Sequence, residues 1–513
     1  MKRIWSILLC CAMLIAFAGC QGGEDVYTPT GDGLTYDDDY TGPTGPEREE
    51  ETQELKLAYY PELTMNPYTS TDYTNRALFS LLYQSLFVTG RDYISQPQLC
   101  KKYSVSEDML VHTIYVEKAT FSDGSILTSQ DVLASLQAAK NSSYYAGRFS
   151  YFRDISLTED GAIQITLGTP YENLPILLDM PIIKEAQLEE DRPLGTGPYI
   201  LEETDTGACL RKRTNWWCEA ELVVTDPEIT LYKAESVVGI RDEFEFGDLG
   251  LVCADPGSDR YADYRCDYEL WDCESGMFVY IAFSKDSEVF KDPKVRAALT
   301  YAIDRDALVQ EHYRGFARSA TLPASPLSPY YNVSLADKYS YDSVKFAQVI
   351  TNAGLKDSTI TFLVNSDDTL RLRAAYSIKE MLESCGLIVE MKEMSGSNFR
   401  YAVQVRAFDI YLGQTRLSPN MDLSAFFGTY GELSYGGVDE PGAYALCQQA
   451  LENHGNYYTL HRTVMENGLL CPVLFRSYAV YATRGLLTGM TPSRDNVFYY
   501  SLGKTMESVT VSP

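Results

Sequence analysis

The sequence predicts an α/β protein divided into lobes, on three observations. From Leu55 onward, period-two strand patterns and helical patterns alternate along the chain. Of its 513 residues, 45% are hydrophobic and 22% charged, enough apolar matter for large cores in two or three domains of ~150 residues each. No internal repeat is evident. The elements follow in order.

Lys2 and Arg3 precede a short apolar run, Ile4 to Gly19, which ends in Ala18-Gly19-Cys20. A membrane span needs about 20 apolar residues, so this run fits an export signal instead. Small residues followed by a cysteine resemble a bacterial lipoprotein signal over residues 1–19, in which Cys20 is lipidated; Phe17 stands where that pattern prefers an aliphatic. Residues 20–52 then form an acidic tether. Between Gln21 and Glu54 there are eleven acids against one arginine and almost no aliphatic residue, a composition that cannot bury a core.

In the body, ELKLAYY (54–60) alternates as a strand, and Asn75 to Phe87 has helical spacing through Leu78, Leu82 and Leu86. Val111 to Glu117 reads as a strand and Ser122-Asp123-Gly124-Ser125 as a tight turn. Thr128 and Asp131 form a capping-box start, and Asp292-Pro293 and Asp304 open two further helices. Thr359–Val364 is a strand, Leu370–Cys385 a helix, and Leu387–Met394 and Phe408–Leu412 two more strands.

Composition restricts function. The net charge is −28, which repels phosphate backbones and argues against nucleic-acid binding. Four histidines leave little room for histidine-based metal or acid–base chemistry, whereas 39 tyrosines suit recognition surfaces. His454 and His461 lie in a polar stretch and read as surface residues. Nine of the twelve cysteines fall in the body, with no C-x-x-C and no zinc-type spacing, and read as small buried hydrophobes. No H-E-x-x-H, G-x-S-x-G or G-x-G-x-x-G is present. Gly503-Lys504-Thr505 imitates the end of a phosphate loop, but Phe498 occupies the position of its first glycine. No enzyme, cofactor or metal is indicated.

Several phrases carry a family resemblance. MNPYTSTDYTNRALFSLLYQSLF (65–87), FSDGSILTSQDV within 104–140, GTGPYIL (195–201), VRAALTYAIDRDALV within 289–309, YDSVKFAQVITNAGL (341–355) and CPVLFRSYAVY (471–481) occur in one order. The chain thereby resembles the family 5 extracellular solute-binding proteins, the oligopeptide, dipeptide and nickel type that feeds ABC importers. The resemblance implies a two-lobed periplasmic-binding-protein-like fold with a ligand cleft. Lobe I would hold 53–278 plus 482–513 and lobe II 279–481, with crossings near Met277–Phe283 and Leu474–Tyr481. It also implies a monomer on the outer face of the bacterial membrane, anchored by lipid and delivering peptides or peptide-like solutes to permease subunits. A peptide-sensing lipoprotein receptor is the alternative.

Ligand contacts are expected at Tyr68, Thr69 and Ser70 after the first strand, where switch-point geometry favours them. Arg371 and Arg373 are candidates for a ligand carboxylate, since some peptide-binding relatives place an arginine near here. Gln414 and Thr415 follow Gly413, where such relatives carry a tryptophan and then an aspartate for the peptide amino terminus. Arg416-Leu417 stands near that aspartate's place, and Asp422, retained but later, is the candidate for a ligand ammonium.

Overall fold

A computed structural model describes residues 54–204, 207–255, 264–428, 431–438, 440, 442–504 and 508–511. The export signal, Cys20 and the tether lie outside the described residues.

One sheet of 11 strands dominates. In its first half, β1 (Lys56–Tyr59) is flanked by β4 (Glu228–Lys233) and β5 (Leu251–Ala254), both parallel to it, and β2 (Tyr199–Thr204) and β3 (Gly207–Lys212) extend the edge beyond β4. In the second half, β7 (Thr359–Asn365) lies parallel to β8 (Ile388–Met394) and to β9 (Ile410–Arg416). Two long antiparallel strands, β6 (Tyr268–Phe283) and β10 (Cys471–Thr483), join the halves. β10 borders β5 through Ala479–Ala482, whereas β6 borders β9 through Met277–Phe283. This is the two-lobed α/β arrangement that the sequence predicts.

The crossing strands serve two cores because neighbouring side chains on a strand face opposite ways. Phe278, Tyr280 and Ala282 pack into a core shared with Leu57, Leu82 and Phe475. Val279, Ile281 and Phe283 pack into a second core with Leu299, Phe362 and Leu412. At the junction the register of β6 against β10 shifts between Glu274 and Met277, and Gly276 there has φ 73°. A bulge with a left-handed glycine bends the strand and increases its twist.

Local signals behave as their chemistry dictates. Thr128 and Asp131 form the reciprocal capping box of α2 (Ser129–Asn141), which follows the short α1 (Tyr73–Ala77). Asp292 caps α3 (Pro293–Ala298), and Asp304 caps α4 (Arg305–Tyr313) with Ala307 N–H donating to it over 3.0 Å. Asp368 caps α5 (Thr369–Ser384). The arginines of VRAALTYAIDRDAL are structural: Arg296 donates to the carbonyls of Phe290 and Gly468, and Arg305 to those of Thr300, Ala320 and Pro472.

Two readings, of the helix at 75–87 and of His461, need correction. Asn75 to Phe87 is not one helix, because α1 stops at Ala77, a second turn runs Phe79–Leu82, and Gln84–Ser85 pairs as a strand with Pro181–Ile182. The glycines of GTGPY allow close approach to Leu82. A Cβ on Gly195 would stand 2.2 Å from the Leu82 carbonyl oxygen, and one on Gly197 2.4 Å from the Leu82 carbonyl carbon. His461 is fully buried beside Tyr457, and burial lowers its pKa to about 3. The nine body cysteines are all free thiols; six are buried and Cys218, Cys253 and Cys266 half-buried.

Candidate ligand-binding site

A cavity of about 290 Å³ opens where the crossing strands meet the two half-sheets. β6 contributes Ser275 and Met277, β9 Gln414, and β10 Arg476 and Tyr478; Cys253, Ala254 and Asp255 come from the end of β5, and Tyr73 from the start of α1. The chain is drawn together here because both crossing strands pass through one point, the bulge at Gly276. Tyr73 and Tyr478 lie with ring centroids 5.7 Å apart on one side.

Arg476 is the centre of the polar wall. Its guanidinium donates to Asp255 over 2.9 Å, to Gln414 Oε1 over 3.1 Å and to Asp368 over 3.5 Å, thereby tying β5, β9 and the cap of α5 together. It also lies 5.8 Å from the centre of the Tyr313 ring. Asp368 is shared: Arg371 Nε stands 3.8 Å from its Oδ2, beyond hydrogen-bond reach. Arg371 Nε and the Tyr313 hydroxyl are both buried without a hydrogen-bond partner among the described residues. Burial lowers the Arg371 pKa, partly offset by Asp368, and raises that of Tyr313. Burial also pushes the Cys253 thiol up to about 12, so it faces the cavity as a neutral, weakly polar group.

A second charged cluster, outside the lining of this cavity, centres on Asp495. Asp495 accepts from Tyr144 over 2.8 Å and from Arg148 over 3.0 Å, and it pairs with Arg416 as well. Arg148 also pairs with Asp179, and Arg76 and Arg416 lie over the Tyr144 ring at 3.5 and 3.9 Å. Burial alone would raise the Asp495 pKa, but Arg416, Arg148, Arg494 and Arg76 outweigh it and hold the carboxyl well below its usual range.

Of the expected site residues, Gln414 alone lines the cavity, and Arg371 stands behind its wall through Asp368. The structure does not bring the others to it. Tyr68 is buried and spends its hydroxyl on the Pro181 carbonyl at 2.6 Å; Thr69 is exposed; Ser70 is buried with its carbonyl accepting from Arg76. Arg373 is on the exposed side of α5, and Thr415 pairs with Phe278 inside the sheet. Asp422 accepts from Ser424 N–H at 3.0 Å, Ser424 Oγ at 2.7 Å and Tyr151 at 2.9 Å, so both its oxygens staple a loop. Burial raises its pKa against these hydrogen bonds. Sequence reasoning missed Arg476, although the signal existed: it is the single charged residue in the 13-residue strand CPVLFRSYAVYAT. A charge in the middle of a buried central strand requires a partner or a function.

No group of three metal-ligating side chains occurs among the described residues. The description "Bacterial extracellular solute-binding proteins, family 5 Middle" matches residues 95–436, about two thirds of the chain. The glutathione-binding protein GsiB of Salmonella choleraesuis is 29% identical over 331 residues, a match covering 59% of this chain and 62% of that protein's length. Among solved structures, the ABC transporter substrate-binding protein CtaP of Listeria monocytogenes superposes with TM-score 0.70 at 18% identity, covering 88% of this chain and 99% of its own. The oligopeptide-binding protein AppA of Bacillus subtilis, solved with a nonapeptide, gives TM-score 0.60 at 21% identity, with 88% and 99% covered. These relatives are binding proteins rather than enzymes. The chain belongs to the family 5 bacterial extracellular solute-binding proteins.

Proposed function

We propose that this protein is the extracytoplasmic binding component of an ABC importer, capturing a peptide or peptide-like solute between its lobes and presenting it to permease subunits. The observation that carries this reading is the cavity at the crossing strands. It is walled by both half-sheets and combines aromatic faces with a few convergent polar groups, the usual make-up of a small-molecule site. Lobe I comprises 53–278 and 482–513 and lobe II 279–481, in keeping with the separate core formed by Val279, Phe362 and Leu474. The bulge at Gly276 supplies a hinge, since a few residues can absorb the dihedral change of closure. Cys20 is the lipidated end of the mature chain, and the acidic segment after it is a tether that holds a monomer near the membrane.

Two experiments test the reading. Small-angle scattering with and without the solutes that copurify should show contraction on binding; an unchanged radius of gyration at saturation would leave a rigid sensor as the better description. Cys20→Ser should move the protein from the membrane fraction to the soluble one, because stable anchoring needs the acyl chains. Retention in the membrane with unchanged mass would place the anchor elsewhere.

A further inference from the structure

We infer that the Asp255–Arg476 ion pair is a releasable latch, which holds the lobes closed over the cavity and lets go when they part. The inference rests on the proposed closure of two lobes and adds the contact that sets the balance between open and closed forms. With the proposed boundaries, Asp255 belongs to lobe I, and Arg476, Asp368 and Gln414 belong to lobe II. Of the ion pairs that cross this boundary among the described residues, Asp255–Arg476 alone has both partners in the cavity lining.

The guanidinium fork divides its two ends between the lobes. Arg476 Nη2 donates to Asp255 over 2.9 Å, whereas Nη1 donates to Gln414 Oε1 over 3.1 Å and to Asp368 over 3.5 Å. The lobe II end is the better anchored. Asp368 is itself fixed, since its Oδ1 accepts from Arg371 N–H over 3.0 Å as the cap of α5, and the Tyr313 ring centre lies 5.8 Å from the guanidinium. The Asp255 side chain, by contrast, is 49% exposed, so water solvates its carboxylate as soon as the pair parts. On opening, Arg476 therefore stays with Asp368 and releases Asp255, and no charge is left stranded.

Arg416–Asp495 also crosses the boundary, but it is built to stay joined. The Asp495 side chain is 7% exposed, and Arg148 holds the same carboxylate. The two pairs differ in their response to salt, because a half-exposed pair is screened and a buried one far less. Salt therefore loosens the latch while the buried pair holds, and removal of either latch partner does the same. The latch acts on solutes only through closure: favouring the closed form slows the release of whatever the cavity holds.

Cys253 lines the cavity and reports opening. Protein stripped of copurifying solutes is labelled with N-ethylmaleimide and, separately, with a fluorescein maleimide too large for the closed cavity. Peptide mass spectrometry reads both rates at Cys253, and their ratio follows opening while cancelling any change in the acidity of the thiol. Asp255→Asn and Arg476→Gln should each raise the bulky-to-small ratio about threefold, the scale of a half-exposed ion pair. Wild type should show the same rise between ~10 mM and ~1 M salt, where the screening length falls from ~30 Å to ~3 Å, and the variants should not. The buried Cys273 and Cys447 should label as in wild type. If a variant loosens throughout and labels Cys273 as well, the salt series on wild type decides alone. An unchanged ratio in either folded variant, a wild-type ratio indifferent to salt, or no bulky labelling of Cys253 at all would overturn the latch. Solute binding would stand in each case, because it is judged by the solutes that copurify rather than by this ratio.

Discussion

Two clusters of charge lie at the junction of the lobes, and they are built to opposite plans. Around Asp495, Arg148 and Arg416 close on one carboxylate, with Asp179 and the Tyr144 ring completing the shell. Around Arg476, one cation is stretched among Asp255, Asp368 and Gln414 and borders a cavity. In the first cluster the side chains of Arg148 and Asp495 are 4% and 7% exposed, whereas the Asp255 partner of Arg476 is 49% exposed. Deep burial of both charges marks the first as a structural cluster. The half-exposed Asp255 fits the proposed recognition role of the second, because a solvated partner can be exchanged at low cost.

The comparison breaks most easily at Asp495. Asp495→Ala would leave the half-buried Arg416 without its carboxylate and the buried Arg148 with Asp179 alone, and losing one partner of a buried pair costs about 3–5 kcal/mol. Chemical denaturation should show that loss, and a midpoint unchanged from wild type would mean that the cluster is not sealed.

Acid offers a second, smaller test of which groups are sealed. His112 and His461 are buried, and desolvation lowers their pKa values to about 4 and about 3, against an unfolded value near 6.5. The unfolded chain therefore binds these protons first. The stability that neutral His112 and His461 allow is complete above pH 6.5 and is lost as pH falls through the window down to about 4 and then about 3. Each fully titrating group contributes at most about 1.4 kcal/mol per pH unit. His461→Phe should flatten the stability profile between pH 6 and pH 4 by roughly that slope. An unaltered profile would show that His461 is wetted in solution.

The smallest effect belongs to the cavity. Arg476→Gln should cost about 1 kcal/mol or less on the same denaturation curves, because its strongest pair is half in water. A loss as large as that of Asp495→Ala would erase the distinction between the two clusters.

What the sequence disclosed follows from range. Thr128, Asp131, Asp292 and Asp304 act on backbone within three residues, so their caps were legible one by one. The spacing of Leu78, Leu82 and Leu86 looked helical, but Leu82 has to offer its backbone to Gly195 and Gly197, and that contact ends the helix. The burial of His461 was readable after all, since Tyr457, Leu460, His461 and Val464 share one face of a helix at 3.6-residue spacing. Polar composition concealed it. The cavity was illegible for a different reason: Asp255, Gln414 and Arg476 meet across separations of 221 and 62 residues, and no local pattern encodes such a meeting.

The most direct measurement fills the cavity. Met277 lines it from the crossing strand and is replaced by tryptophan, Met277→Trp, to occupy the space while Arg476 and Asp495 themselves are kept. Wild type and variant are purified side by side and weighed by native mass spectrometry. The account predicts a small-molecule adduct on the wild type that is absent from the variant, with matching circular dichroism. The same adduct on both proteins would place the solute elsewhere and contradict the account.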